Sequence, residues 1–105
     1  MNGKQRIVSA LNREPVDRTP VWFMRQAGRH LPEYRALAAE HSFWERCKDI
    51  DLCTTITMQP IHRYKSIDAA IIFSDILTPL PALGYDVEYG GGIRIDPFAF
   101  DDVDD

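Results

Sequence analysis

Ala69-Ala70-Ile71-Ile72-Phe73 is apolar at every position, and this uninterrupted run constrains the fold more than any other stretch of the chain. A strand with one face in water alternates polar and apolar residues. A strand covered on both faces, as in a parallel sheet flanked by helices, does not. Val21-Trp22-Phe23-Met24 repeats the pattern earlier in the chain. Between the two runs the residues predict helices. Pro32 suits a first helical turn, where its missing N–H costs nothing, and Glu33 favours the same end, so a helix is expected from Pro32 to about Glu40. Asp49 suits an N-cap, after which Ile50, Cys53, Ile56, Pro60, Ile61 and Tyr64 fall at helical spacing. Pro60 is expected to kink that helix or to end it near Gln59. Strand, helices, strand is a βαβ unit with a right-handed crossover. The expected fold class is α/β.

The flanks read more simply. Arg6 to Asn12 predicts a short amphipathic helix, and Glu14 to Pro20 a connector whose two prolines forbid helix continuation. Thr78 to Leu83 suits a further short helix stopped by Gly84. Asp86-Val87-Glu88-Tyr89 and Ile93-Arg94-Ile95, joined by Gly90-Gly91-Gly92, read as a β-hairpin. The ending Asp101-Asp102-Val103-Asp104-Asp105 closes no helix or strand, which suggests an interrupted sequence. There is no internal repeat.

Composition narrows the partners. A net charge of −4 provides no basic field for nucleic acid. No apolar stretch approaches the roughly eighteen residues of a membrane span, and the start lacks the apolar core of a secretory signal. Cys47 and Cys53, with five residues between them, lack a metal-binding or redox spacing. They read as half-buried thiols in a reducing compartment, and the chain as cytoplasmic. His30, His41 and His62 have no spacing suited to a metal.

Chemistry concentrates just after the first apolar run, in Arg25-Gln26-Ala27-Gly28-Arg29. Two guanidinium forks beside a glycine suit an anion site: arginine binds carboxylates through paired hydrogen bonds, and Gly28 allows backbone and ligand to approach closely. A solvated basic turn explains the same residues equally well. Asp75, after the second run, reads without further context as the N-cap of whatever begins at Ile76. Arg35 lies inside the expected helix and reads as the partner of a nearby acid. Phe23, Ile72 and Phe73 suit a core or the apolar floor of a site, and Trp22 and Trp44 suit packing.

The decapeptide Pro20 to Arg29, continued by His30-Leu31-Pro32-Glu33-Tyr34-Arg35, resembles the amino-terminal signature of the uroporphyrinogen decarboxylase family. Asp68 to Leu77 resembles the segment carrying that family's essential aspartate, and Met58-Gln59-Pro60 fits the stretch between. The resemblance runs from about Ile7 to Gly92. One departure is His30, where the family more often has tyrosine.

The resemblance implies the first βα units of a (β/α)8 TIM-type barrel, incomplete here because such a barrel needs at least about 200 residues. Residues 1–105 would form the amino-terminal part of a single barrel domain. It implies uroporphyrinogen III as substrate, decarboxylation of its four acetates to give coproporphyrinogen III, no cofactor and no metal, and a homodimeric full-length enzyme. Arg25 and Arg29, with the backbone of Gln26, Ala27 and Gly28, would bind substrate carboxylates. Asp75 would be both the catalytic charge and a substrate anchor. On such a barrel Arg25 and Asp75 stand at the carboxyl-end rim, where sites of this fold are built. Two other readings compete: an inactive truncated fragment that at most binds porphyrinogen, and a corrinoid-linked methyltransferase barrel, which would be expected to bring zinc ligands and to lack the paired arginines.

Overall fold

A computed structural model describes residues 1–89 and 93–96. The chain divides into two compact units, Met1–Phe73 and Ser74–Asp105. The glycine tip Gly90-Gly91-Gly92 and the acidic ending from Asp101 lie outside the described residues.

The first unit is helical. Helix α1 spans Gly3–Leu11, starting before the expected Arg6 because Asn2 caps it. The Gln5 N–H donates to Asn2 Oδ1 at 2.9 Å, and the Asn2 N–H donates back to Gln5 Oε1 at 2.8 Å. This reciprocal pair satisfies two of the first turn's free donors. Helix α2 runs Pro32–Glu40, as expected. Helix α3, Phe43–Lys48, was not anticipated. Its signal is Ser42 followed three residues later by Glu45, whose N–H donates to Ser42 Oγ at 3.2 Å. Helix α4 covers Ile50–Arg63, and Asp49 caps it by accepting from the Leu52 N–H at 2.9 Å. Of the two outcomes expected at Pro60, an end near Gln59 does not occur: the helix continues to Arg63, and the Tyr64 N–H still reaches the Pro60 carbonyl at 2.7 Å. Pro60 is fully buried, so packing outweighs the one helical hydrogen bond its ring removes. Leu31, Tyr34 and Ile56 form the core of this unit, with Ala27, Leu37, Ala38 and Phe73 against it. Phe73 meets the rings of Tyr34 and Phe43 edge-on, with centroids 5.7 and 5.9 Å away.

The two apolar runs are the main correction. Neither Val21–Met24 nor Ala69–Phe73 forms a strand. They are joined by one backbone bond, from the Asp68 N–H to the Val21 carbonyl at 2.8 Å, and by the Gln26 Nε2 donating to the Ala69 carbonyl at 3.0 Å. Two extended segments cannot sustain a ladder by themselves; a stable sheet needs further strands or a covered face. Several side chains expected in a core are accordingly exposed, Met24 at 75% and Ile72 at 73%, with Trp22 and Phe23 also open to solvent.

What holds the start of both runs is a carboxylate. The Asp68 side chain, 1% exposed, accepts from Arg6 Nη1 at 3.0 Å, from Arg18 Nη1 and Nη2 at 2.8 and 3.0 Å, and from the Val21 N–H at 2.8 Å. Arg6 also grips Asp17 through Nε at 2.6 Å and Nη2 at 2.9 Å. Gly3 is required beside this cluster: a Cβ there would stand 2.7 Å from the Asp68 carbonyl oxygen.

Three carboxyls are held below their ordinary range. The Val21 N–H and then Arg6 and Arg18 do this for Asp68, Arg6 does it for Asp17, and Arg63 lowers Glu33 from 4.5 to about 2. A carboxyl with a folded value below its unfolded one stabilises the fold above the unfolded value, and that contribution is lost as pH falls through the folded one. The thermal midpoint should therefore be flat above about pH 5 and fall from about pH 4.5 towards pH 2, as followed by circular dichroism. Asp17 and Glu33 are 42% and 31% exposed, so solvent screens them and Asp68 should dominate the effect. Asp68→Asn should flatten the acid limb; an unchanged limb would assign it to other groups.

The second unit begins with a turn and helix α5, Pro79–Ala82, closed by Leu83 and by Gly84 at a φ of 94°. Only a glycine takes that φ without strain. Strands β1 (Asp86–Tyr89) and β2 (Ile93–Asp96) pair antiparallel, with Val87 opposite Ile95 and Tyr89 opposite Ile93. The hairpin agrees with the sequence expectation. Among the described residues the sheet is thus an antiparallel pair rather than a parallel one.

Candidate active site

Arg25 to Arg29 form a loop pinned at both ends. Gln26 is buried (3% exposed) and tied to the Ala69 carbonyl, while Ala27 packs on the core. Gly28 adopts a φ of 155°, which a Cβ would strain. The Leu31 N–H then donates to the Gly28 carbonyl at 3.0 Å, and the fully buried Leu31 side chain anchors the exit. His30 lies flat against Tyr64, with ring centroids 6.2 Å apart, so the departure from tyrosine is absorbed by stacking.

Arg35 corrects the sequence reading. It pairs with no acid among the described residues; its Nη1 donates to the Arg29 carbonyl at 2.6 Å. Most arginines of this unit are committed in a similar way. Arg6 and Arg18 are bound to aspartates, and Arg63 to Glu33 through a fork of 2.8 and 2.7 Å. Arg46 donates to the Tyr34 hydroxyl and sits over the Tyr34 and Phe43 rings. Arg25 and Arg29 differ, as does the exposed Arg13 after α1, but only the first two share one loop. Both are exposed, and neither side chain has a hydrogen-bond or ion-pair partner among the described residues. The backbone N–H groups of Gln26, Ala27 and Gly28 likewise donate to no acceptor there. The loop presents two uncommitted guanidinium groups and three uncommitted N–H donors on a fixed backbone. That is the donor set of an anion site.

Asp75 belongs to the second unit, and its N-cap reading fails. Thr78, not Asp75, stands at the start of α5, without a side-chain cap bond. The half-buried Asp75 carboxylate instead accepts the Tyr89 O–H at 2.6 Å through Oδ2. Its backbone is fixed by Thr78, whose N–H donates to the Asp75 carbonyl at 3.1 Å and whose Oγ1 accepts the Asp75 N–H at 3.3 Å. A charge that caps nothing and is held by one phenol is available for another task.

Two contributors went unnoticed in the sequence. Asp68 had a readable signal, since an acid directly preceding an all-apolar run must find cations where the run is buried. Tyr89 had none; its pairing with Asp75 arises from how the hairpin folds back. Among the described residues no three His, Cys, Asp or Glu side chains are grouped to hold a metal, and no helix is long and apolar enough to cross a membrane.

Residues 2–105 match the profile of the family described as uroporphyrinogen decarboxylase (URO-D). Curated proteins of that name are similar over most of the chain. The one from Magnetococcus marinus is 53% identical over 100 residues, covering 92% of this chain and 28% of its own length. The one from Alcanivorax borkumensis is 57% identical over 89 residues, covering 83% and 25%. The one from Myxococcus xanthus is 53% identical over 85 residues, covering 81% and 24%. The chain thus spans about a quarter of the length of the relatives it matches.

Proposed function

The chain belongs to the uroporphyrinogen decarboxylase family, and from that membership we propose that it is the amino-terminal part of an enzyme that decarboxylates uroporphyrinogen III to coproporphyrinogen III. Residues 1–105 are then part of one (β/α)8 barrel domain, in which the runs after Pro20 and Asp68 gain the neighbours they lack here and become its first two strands. The observation that carries the reading is the pair of uncommitted arginines, Arg25 and Arg29, on a rigid glycine turn. A tetrapyrrole with eight carboxylates is a ligand such a pair suits.

The chemistry assigns the remaining roles. Loss of carbon dioxide breaks the bond between an acetate methylene and its carboxylate and leaves an electron pair behind. Protonation of the pyrrole ring carbon first creates a cationic, iminium-like acceptor for that pair, so the substrate supplies its own sink. A proton at the methylene then completes the methyl group, and the ring carbon gives back the proton it took at the start, which restores the pyrrole. Arg25, Arg29 and the backbone of Gln26, Ala27 and Gly28 hold carboxylates. Asp75 accepts from the pyrrole N–H groups and stabilises the positive charge as it develops, which favours the transition state over the ground state. Either arginine is a candidate proton donor. The full-length enzyme is proposed as a homodimer, which rests on the family resemblance alone, and as cytoplasmic, which rests on the two thiols and the amino-terminal residues. The methyltransferase reading is not favoured, since the matched relatives carry the decarboxylase name.

The test is steady-state kinetics of the enzyme containing this chain. Arg25→Lys and Arg29→Lys keep the charge but lose the fork, so each should raise KM roughly tenfold or more. Arg35→Lys retains one donor for the Arg29 carbonyl and should be nearly silent. Equal tolerance of lysine at all three positions would overturn the assignment of carboxylate binders.

A further inference from the structure

We propose that Tyr89 is the positioning residue for Asp75, holding its carboxylate in the orientation the reaction uses. The inference rests on the reading of Asp75 given above but adds a residue which that reading does not require. The two side chains meet through one short bond, Tyr89 O–H to Asp75 Oδ2 at 2.6 Å, across fourteen residues of sequence. A bond of that length from a neutral hydroxyl to a carboxylate is charge-assisted and directional. It occupies one oxygen and leaves Oδ1 without a partner among the described residues. A free aspartate turns about two side-chain torsions, each with several wells. The phenol removes that freedom, while the two bonds with Thr78 fix the backbone from which the side chain leaves.

Tyr89 can do this because it is fixed in turn. It ends β1 and is paired with Ile93 on β2, and its long, rigid side chain spans the distance with only two torsions of its own. The arrangement is polarised. One carboxylate oxygen faces the protein's own donor, and the other is open to a donor from outside, as the pyrrole N–H groups would be. Preorganisation of this kind matters most when charge develops, since an anion already aimed at the reacting ring needs no reorganisation. Tyr89 touches no reacting atom and acts only through Asp75.

Tyr89→Phe removes one oxygen and keeps the ring and the hairpin packing. In the enzyme containing this chain it should lower kcat about ten- to a hundredfold, the cost of a loosely held catalytic group, with KM and thermal midpoint nearly unchanged. In an Asp75→Asn background the same substitution should have no further effect, because a residue acting through Asp75 has nothing left to position. The Asp75 carboxyl carbon resonance should shift in Tyr89→Phe, which reports the contact independently of turnover. Normal kcat in Tyr89→Phe beside a severe loss in Asp75→Asn would overturn the positioning role alone. So would losses that multiply in the double variant. Normal turnover in Asp75→Asn would overturn this inference together with the active-site reading beneath it.

Discussion

Asp75→Asn is expected to lower turnover at least about a hundredfold while changing KM by no more than a few-fold, the effect of deleting one preorganised electrostatic contact. The substitution keeps the shape and a hydrogen-bonding oxygen, so Tyr89 retains a partner and the turn with Thr78 is untouched. What disappears is the negative charge. A neutral amide still accepts from a pyrrole N–H in the ground state, which preserves binding. It offers little to a ring that has become cationic. The loss therefore falls on the step in which charge develops, and kcat is the parameter that reports it. Separating reaction products by chromatography gives turnover for each acetate as well as the total. A variant with near-normal kcat would show that the carboxylate has no part in the chemistry.

The second large effect concerns residues 1–105 taken alone, which are expected to release no carbon dioxide from uroporphyrinogen and to associate in solution. Trp22, Phe23, Met24, Ile71 and Ile72 are exposed along the two extended runs, whose backbones share a single mutual hydrogen bond. Exposed apolar side chains beside unpaired extended backbone favour edge-to-edge association. The relatives are more than three times this length, and a cleft that excludes water and grips a macrocycle draws on many barrel loops. Light scattering, thermal unfolding and an assay of carbon dioxide release decide the matter together. A cooperative monomer with measurable turnover would refute the expectation outright.

How far the residues announced the structure depends on whether the cause is local. Helix α2 and the cap of α4 were legible because proline, glutamate and aspartate act within one turn. The hairpin and the stop at Gly84 were legible for the same reason. The strands were not realised because a two-sided apolar run declares a need for neighbours, and here the neighbours are missing. Helix α3 was missed although Ser42 and Glu45 spelled its start, and α4 runs through Pro60 because burial outweighs propensity there. At the candidate site the arginine pair was visible in the sequence. That both are uncommitted was not, since it depends on where Arg6, Arg18, Arg35, Arg46 and Arg63 find their partners. Arg35 shows the same limit: its acceptor is the Arg29 backbone, which no residue pattern encodes.

The Asp68 clamp also has a meaning in time. It joins Arg6 to a partner 62 residues away and Arg18 to one 50 residues away. Contacts of such long range are closed against chain entropy and form late compared with local helices. Synthesis from the amino terminus delivers α1 well before its anchor exists. Through that interval Arg6 has only Asp17 to hold, and the helix can form but cannot dock. Arrival of Asp68 is thus the event that seats α1 and the connector after it, with Asp75 emerging from the ribosome shortly behind.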